Sequence, residues 1–218
     1  MFKVKICGVT SVGDALIAIE AGADAIGLNF FAASPRCVPL RMAEQIVEAV
    51  HAANERAKCV GVFVNYSAEQ ILRVEEAVGL DAVQLHGDES PALMNALPSQ
   101  PVIRAVRVAD EFDPLSEKVD AWCDEVGRPH AFLCDAPAGK AYGGTGKKVR
   151  WDLAARLVEY STRAILLAGG LNPANVVEAI GSVRPYGVDT ASGVESEPGK
   201  KDADLVQDFV HKALAALG

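Results

Sequence analysis

Short apolar runs rich in β-branched residues recur along the chain, and polar turns separate them from stretches whose apolar residues have helical spacing. Because the runs are almost continuously apolar, they are typical of strands in a parallel sheet that is covered on both faces. The pattern predicts strands over residues 4–7, 26–30, 60–64, 82–86, 102–106, 131–135, 164–168 and 186–190. It predicts helices over residues 11–22, 39–52, 67–79, 151–160, 172–181 and 202–214.

A short motif that occurs twice in the sequence supports a repeated strand–helix unit. AGADAIGL at 21–28 and VGLDAVQL at 78–85 share a Gly-x-Asp-Ala step, where a helix ends on Gly and an aliphatic strand begins. Eight such units in 218 residues predict an α/β fold, a (β/α)8 TIM barrel that forms a single domain over residues 1–218. The alternative is an open doubly wound sheet, which needs a glycine fingerprint after its first strand. KICGVTS does not match G-x-G-x-x-G, so the barrel is preferred.

The composition restricts the class of partner. The net charge of −8 argues against a nucleic-acid binder, which needs a basic surface to meet phosphates. A small phosphorylated metabolite remains possible, because backbone N–H groups bind phosphate locally whatever the total charge. No apolar run approaches the roughly 18 residues of a membrane span, and the N-terminus lacks the features of a signal peptide. We therefore expect a cytoplasmic protein with a small-molecule partner and neither nucleic acid nor membrane.

The cysteines and histidines do not indicate a metal site. There are five cysteines without a C-x-x-C pair, which suits reduced thiols better than a disulfide framework or a zinc knuckle. The four histidines are far apart in sequence. We predict no metal.

In a barrel, the carboxyl ends of the strands converge on one mouth where the chemistry takes place. The predicted ends are Cys7, Asn29, Val64, His86, Val106, Asp135, Ala168 and Asp189. Several of these residues are polar or reactive, which core packing alone does not favour. Cys7 and Asp135 are the two that are suited to proton transfer at neutral pH. Taken singly, each has a structural alternative, a buried strand thiol for Cys7 and a helix or turn cap for Asp135.

Glycine-rich loops follow the last three predicted strands. Gly169 and Gly170 follow strand seven, ahead of Asn172-Pro173 as a helix start, and Ser192 and Gly193 follow strand eight. The loops after strands seven and eight are the usual phosphate site of a barrel, although each pair alone is also ordinary turn punctuation. The loop at 142–151 lacks the Walker spacing and predicts a mobile segment that closes over a small substrate, or else a solvated surface loop.

A proton-handling pair with a phosphate site opposite suggests aldose–ketose isomerisation. Cys7 can remove a proton from carbon only as the thiolate, and an unperturbed thiol with a pKa near 8.5 is only a few per cent ionised at about pH 7. Either the site lowers that pKa or the small thiolate population adds roughly 2 kcal/mol to the barrier. The sequence leaves both open.

Several motifs together resemble one family, phosphoribosylanthranilate isomerase. They are KICGVT (5–10), GLNFFAASPRCV (27–38), VGVFVN (60–65), VQLHGDE (83–89), IRAVRV (103–108), GGTGKKVRW (143–151), LLAGGLNPANV (166–176) and GVDTASGVESEPGKKD (187–202). The likeness runs from end to end, and this combination in this order is specific to the family. The resemblance implies a barrel that catalyses, without a cofactor, the Amadori rearrangement of N-(5-phosphoribosyl)anthranilate in tryptophan biosynthesis, as a monomer or a homodimer.

The resemblance also implies roles for individual residues. Cys7 would be the general base at the sugar C2 proton, and Asp135 the general acid that protonates the ring oxygen. Arg36 would pair with the anthranilate carboxylate, which the guanidinium fork suits. His86 and Asp189 would line the substrate pocket. The phosphate would be held by Gly144, Thr145, Gly146, Gly169, Gly170, Ser192 and Gly193.

Other functions are weighed against this one. An indole-glycerol-phosphate synthase would need a catalytic lysine at a strand end, and the predicted ends include none. A ribulose-phosphate epimerase would need histidines and aspartates placed for a metal, and His86 is the single histidine among those ends. A catalytically inactive barrel that senses a phosphorylated ligand is the alternative outside enzymes; the presence of Cys7 and Asp135 argues against it.

Overall fold

The computed structural model of the chain describes residues 1–97, 101–108, 111–123, 129–136 and 150–218. Eight parallel strands close into a barrel in sequence order, which confirms the predicted fold class. They are β1 (Val4–Cys7), β2 (Ala25–Asn29), β3 (Lys58–Phe63), β4 (Ala82–Leu85), β5 (Val102–Arg107), β6 (Ala131–Asp135), β7 (Ala164–Leu167) and β8 (Gly187–Thr190).

Helices surround the described part of the barrel. They are α1 (Val12–Glu20), α2 (Leu40–Ala53), α3 (Ala68–Val78), α4 (Asp113–Trp122), α5 (Trp151–Tyr160), α6 (Val176–Val183) and α7 (Ala203–Leu217). Short 3₁₀ helices cover Pro91–Ala96, after β4, and Ser192–Val194, after β8. A small antiparallel hairpin, β9 (Glu195–Glu197) with β10 (Lys200–Lys201), precedes α7. Within the described residues no helix has both the length and the apolar character that a membrane crossing requires.

Two helical elements differ from the sequence prediction. Helix α4 was not predicted; four of its ten residues are charged, yet it buries Leu115, Val119 and Trp122 at helical spacing. Helix α6 begins at Val176, four residues later than the predicted start at Asn172, and Asn175 is its N-cap. The Asn172 side chain instead accepts a hydrogen bond from the backbone N–H of Ala174, and so stabilises the turn before the helix.

Alternation along each strand separates two hydrophobic layers. On β1, Val4 and Ile6 belong to the outer core between the sheet and the helices, so Lys5 and Cys7 point into the barrel. The inner layer is built largely from small and branched apolar residues: Ala25, Val60, Ala82, Ile103, Ala105, Ala131, Leu133, Leu166 and Ala168, with Phe2. Cys59 and Cys134 lie in the outer core.

The Gly-x-Asp-Ala motif that occurs twice in the sequence forms the same hydrogen-bonding arrangement twice at the amino end of the barrel. Asp24, just before β2, accepts hydrogen bonds from the backbone N–H groups of Lys3 and Val4 at the start of β1, at 2.9 Å each. Asp81, just before β4, accepts one from the N–H of Cys59 at the start of β3. Each aspartate therefore satisfies backbone donors where the neighbouring strand begins.

Asp81 has further partners at that end of the barrel. Its carboxylate is 2.9 Å from Nε2 of His51 and 3.0 Å from the Lys58 ammonium. Burial alone would raise the pKa of Asp81, but the Cys59 N–H, Lys58 and His51 outweigh burial and hold the pKa below its usual value. The carboxylate is thus engaged in protein contacts, on the side of the barrel away from the mouth.

We predict that removing either carboxylate destabilises the barrel without affecting its mouth. Asp24→Ala and Asp81→Ala should each lower the free energy of unfolding by about 1–3 kcal/mol, because part-buried N–H groups lose their acceptor. Urea denaturation measures this. The exposed Glu48 on α2 provides a control, since Glu48→Ala should change stability by no more than about 0.5 kcal/mol. If Asp24→Ala behaved like Glu48→Ala, the proposed role of the repeated aspartate would be wrong.

Candidate active site

The inward-facing residues at the carboxyl ends of the strands form the candidate active site. The structure places Cys7, Asn29, His86, Asp135 and Asp189 at this mouth, as predicted. Strand β5 differs, because it extends one residue further than predicted and pairs Arg107 with Asp135. Val106, the predicted end, points outward and packs in the outer core. Arg107 therefore takes its place at the mouth.

Cys7 ends β1 opposite Gly27 of β2. A Cβ atom added to Gly27 would lie 2.7 Å from the Cys7 sulfur, so glycine is needed to leave room for the thiol. As a whole residue Cys7 is half-buried, whereas Cys59 and Cys134 are buried. Cys7 thus faces the mouth, and Gly27 on the neighbouring strand leaves the space that a larger side chain would take from the thiol.

Lys5 lies beneath Cys7 inside the barrel and was not predicted as a site residue. Its side chain is 0% exposed, and its ammonium is 2.6 Å from Oδ1 of Asp189 on β8. Burial alone would lower the pKa of Lys5, but the charges of Asp189 and Cys7 and hydrogen bonds to both side chains together outweigh burial and raise it. The signal available in the sequence was the spacing: a lysine two residues before Cys7 on a strand must share its face.

The protonation of Cys7 depends on opposing effects. Burial raises the pKa of the Cys7 thiol above its ordinary value, and the Lys5 ammonium offsets part of that rise by charge and hydrogen bonding. Lys201 also favours the thiolate, whereas Asp189 disfavours it. Burial prevails, so the thiol form predominates at neutral pH.

Arg36 is held by a carboxylate at the rim of the mouth. Its Nε and Nη2 atoms donate to the two oxygens of Glu195 at 2.9 and 2.6 Å, which forms a bidentate ion pair. The Lys201 ammonium is 2.8 Å from the same carboxylate and also donates to the carbonyl oxygens of Cys7 and Ala191. Burial alone would raise the pKa of Glu195, but these two cations hold it below its usual value. The sequence did not predict Glu195 or Lys201.

Asp135 ends β6 and has a partner on each oxygen. Oδ1 accepts from the backbone N–H of Ala136 at 2.8 Å, and Oδ2 is 3.1 Å from Nε2 of His86. The buried Gln84 amide nitrogen lies 2.8 Å from Nδ1 of His86. When that amide donates to Nδ1, the imidazole proton is on Nε2 and points at Asp135. His86 therefore orients the carboxylate, and Gln84, which was not predicted, orients His86.

The loops after β7 and β8 are packed against each other. Gly169 and Gly170 have φ angles of 80° and 74°, which glycine adopts without strain. The Thr190 hydroxyl donates to the Leu171 carbonyl oxygen at 2.7 Å. Gly193 approaches the same carbonyl so closely that a Cβ atom would clash with it. The predicted residues Gly169, Gly170, Ser192 and Gly193 are thus brought to one side of the mouth.

A cavity of about 210 Å³ opens beside Asp135 and His86. Its charged lining comes from Asp88, Glu89, Arg104, Arg107 and Lys118, with Trp122 at its wall. Gly144, Thr145 and Gly146 lie outside the described residues, as do the other residues of 137–149. The arrangement places a thiol and a carboxylate, both able to transfer protons, on one mouth that also carries a glycine-rich cradle.

Comparisons with curated proteins point to one family. A family model described as N-(5'phosphoribosyl)anthranilate (PRA) isomerase matches residues 4–212. An N-(5'-phosphoribosyl)anthranilate isomerase from Trichlorobacter lovleyi is 43% identical over 219 residues, which is 100% of this chain and 100% of that protein. One from Rubrobacter xylanophilus is 46% identical over 215 residues, covering 98% and 99% respectively.

Solved structures give the same result. Phosphoribosyl anthranilate isomerase from Thermotoga maritima has a TM-score of 0.86 at 40% identity and covers 99% of this chain and 100% of its own. A phosphoribosyl anthranilate isomerase in complex with reduced 1-(o-carboxyphenylamino)-1-deoxyribulose 5-phosphate has a TM-score of 0.81 at 37% identity, with the same coverage. Monomers generated from the dimeric Thermotoga maritima enzyme have a TM-score of 0.82 at 38% identity, again with that coverage.

The raised pKa of Cys7 predicts a particular pH dependence of its reactivity. Only the thiolate reacts with iodoacetamide, and a higher pKa moves thiolate formation to higher pH. The alkylation rate of Cys7, followed by peptide mass spectrometry, should rise about tenfold per pH unit between about pH 6 and pH 8 and still be rising at about pH 9. A rate that levels off below about pH 8 would contradict the burial effect described above.

Proposed function

Since the chain belongs to the N-(5'-phosphoribosyl)anthranilate isomerase family, we propose that Cys7 and Asp135 carry out the family's reaction as general base and general acid. The enzyme converts N-(5'-phosphoribosyl)anthranilate to 1-(2-carboxyphenylamino)-1-deoxyribulose 5-phosphate in tryptophan biosynthesis. The observation that carries the assignment of roles is the placement of the two side chains. Both face inward at the carboxyl ends of strands, β1 and β6, that are separated by β7 and β8 in one closed barrel.

The chemistry divides between the two groups. Asp135 gives a proton to the ring oxygen, the bond from that oxygen to C1 breaks, and the nitrogen lone pair forms a protonated Schiff base at C1. The Cys7 thiolate then takes the proton from C2. The electrons of that C–H bond form the C1–C2 double bond while the π electrons of the C1–N bond return to nitrogen, which gives an enol-amine. That intermediate tautomerises to the 2-ketone. Protons are only moved, so the reaction as proposed needs no cofactor.

His86 serves the acid in this proposal. Its Nε2 atom is 3.1 Å from Asp135 Oδ2, so it is placed to orient the carboxyl group and to exchange a proton with it between turnovers. The Ala136 N–H fixes the other oxygen. The carboxyl group thus has a defined orientation towards the mouth before substrate arrives.

Arg36 binds the anthranilate carboxylate in this proposal. Glu195 occupies the Nε and Nη2 edge of the guanidinium, which fixes its plane. The Nη1 edge is then available to meet a second planar anion. Arg36 is part of the SPR segment that follows β2, so the aromatic acid would lie near Cys7 and the reacting carbons near the thiol.

The phosphate lies between the loops after β7 and β8 in this proposal. The positive φ angles of Gly169 and Gly170 and the close packing of Gly193 on Leu171 support a preformed cradle of backbone groups there. Ser192 adds a hydroxyl. Gly144, Thr145 and Gly146 complete the proposed phosphate contacts from the loop after β6.

We propose a cytoplasmic location and either a monomer or a homodimer. All five cysteines are free, which suits a reducing compartment. The Thermotoga maritima enzyme is described as dimeric, which makes the homodimer a natural alternative to test by light scattering.

Substituting either proton-transfer group should abolish most of the activity. Cys7→Ala and Asp135→Asn should each lower kcat by about 10²–10⁴, because each removes a positioned acid or base. The loss of anthranilate-type fluorescence on adding phosphoribosylanthranilate measures turnover, and thermal unfolding checks the fold. Cys123→Ser, an exposed thiol outside the mouth, should keep native turnover. Near-native kcat in either mouth variant would exclude its assigned role.

The role of Arg36 can be isolated with a second substrate. Arg36→Ala should lower kcat/KM for phosphoribosylanthranilate by about 10–100-fold, mostly through KM, because a charge-assisted pair with the carboxylate is lost. N-(5'-phosphoribosyl)aniline lacks that carboxylate, so the variant and the native enzyme should use it nearly equally. An equal loss with both substrates would mean that Arg36 acts only through its contact with Glu195.

A further inference from the structure

Lys5 is a buried cation for which the proposed acid–base mechanism has no use. It is completely buried, although a position chosen only for packing inside the barrel would take an apolar side chain. An ammonium taken out of water costs several kcal/mol unless anions neutralise it. Asp189 supplies one anion at 2.6 Å. The same ammonium also interacts with the Cys7 sulfur, which becomes an anion only when the thiol ionises.

Four charged groups from four parts of the chain act on Cys7. Lys5 comes from β1, Asp189 from β8, Lys201 from β10 and Arg36 from the segment between β2 and α2. Lys201 and Arg36 share the carboxylate of Glu195, which neutralises much of their effect. Lys5 has the largest charge effect on the thiol, and Asp189 the next. The balance between Lys5 and Asp189 is therefore the main electrostatic control on Cys7.

We propose that the Lys5–Asp189 ion pair tunes the basicity of Cys7, with Lys5 stabilising the thiolate and Asp189 limiting that stabilisation. The inference rests on the proposed role of Cys7 as general base. In it, Lys5 and Asp189 are positioning residues for the base. Asp189, for which the family resemblance implied a pocket-lining role, acts on the thiol directly through its charge and also through its ion pair with Lys5.

The positions of Lys5 and Asp189 predict that removing one partner disfavours the Cys7 thiolate and removing the other favours it. The Lys5 ammonium is 2.6 Å from the Asp189 carboxylate and lies on the same inward face of β1 as Cys7, two residues away, so removing Lys5 takes away a nearby cation that favours the thiolate. Removing the Asp189 charge takes away an anion that repels the thiolate and leaves the ammonium to Cys7 alone. A purely structural ion pair would instead show similar effects when either partner is lost.

The test measures the alkylation of Cys7 itself by iodoacetamide, with peptide mass spectrometry as readout. The background carries Cys37→Ser and Cys123→Ser, which removes the two cysteines that are accessible elsewhere. Cys59 and Cys134 can stay, because burial raises the pKa of each to about 12 and keeps them unreactive. Rates are taken from about pH 6 to pH 10, so that a shift of the titration can be told from a change in accessibility, which scales the rate equally at every pH.

We expect one variant to be alkylated at Cys7 more slowly than the parent protein and the other to be alkylated faster. Lys5→Met should slow alkylation near neutral pH by about tenfold, and Asp189→Asn should accelerate it by about threefold to tenfold, each through a shifted pH dependence. Lys212→Met, a partly exposed lysine on α7, is the matched control and should leave the rate unchanged. On the acid side of the pH profile, the rise of kcat/KM should move to higher pH in Lys5→Met and to lower pH in Asp189→Asn.

A second variant guards against misfolding. Lys5→Met leaves the Asp189 carboxylate buried without its partner, which destabilises the barrel. Lys5→Met with Asp189→Asn removes both charges together and keeps the interior neutral. Its alkylation rate should lie between those of the two single variants and below that of the parent, because Lys5 acts on the sulfur more strongly than Asp189 does.

The outcomes separate this inference from the proposed function. Equal titrations in all variants, or a shift of the same sign for Lys5→Met and Asp189→Asn, would overturn the tuning role even if Cys7→Ala is inactive. The predicted order of rates would uphold the tuning role even if Cys7→Ala kept its turnover. In that case the base assignment alone would be wrong, because alkylation reports on the thiol without any substrate.

Discussion

The barrel closes where β1 pairs with β8, and the register of that pairing determines the rest of the mouth. Val4 lies opposite Val188 and Lys5 opposite Asp189. Because side chains alternate with a period of two, a shift by one residue would turn Lys5 and Cys7 out to the helix layer. With the register as it is, an ammonium and a thiol share the barrel interior. A carboxylate must then be near, and β8 provides it at the paired position.

The loop after β8 is attached to the same strand end by a second set of ions. Lys201 binds the carbonyl oxygens of Cys7 and Ala191 and the carboxylate of Glu195, which also holds Arg36. Buried ionic contacts contribute little net stability compared with apolar side chains of similar size, but loss of one member leaves a buried charge unpaired. Their main consequence here is geometric. The proposed base and the proposed carboxylate-binding arginine are held in one frame with the loop that carries Ser192 and Gly193, two of the proposed phosphate-binding residues.

The two proposed proton-transfer groups have different surroundings. Cys7 lies among charged side chains whose effects on the thiol oppose one another, so its ionisation is sensitive to each of them. Asp135 is held by an imidazole and a backbone N–H, groups that orient a carboxyl group through hydrogen bonds. This difference suits a reaction in which one group removes a proton from carbon and the other protonates oxygen.

Much of the fold and part of the site were determined by local sequence. Apolar runs separated by helical patterns predicted the eight strands and the closed barrel, and the barrel rule then placed Cys7, His86, Asp135 and Asp189 at the mouth. The local pattern did not predict helix α4, in which charged residues alternate with the buried apolar ones. It also did not give the exact end of β5, which is Arg107 and not Val106.

Only the tertiary structure determined the partners of these residues. Lys5 and Asp189 are 184 positions apart, and Lys201 and Cys7 are 194 positions apart. Strand periodicity shows which face a side chain takes, but it carries no information about which distant group shares that face. That depends on closure of the barrel, which brings the first and last strands together and makes the two ends of the chain one electrostatic site.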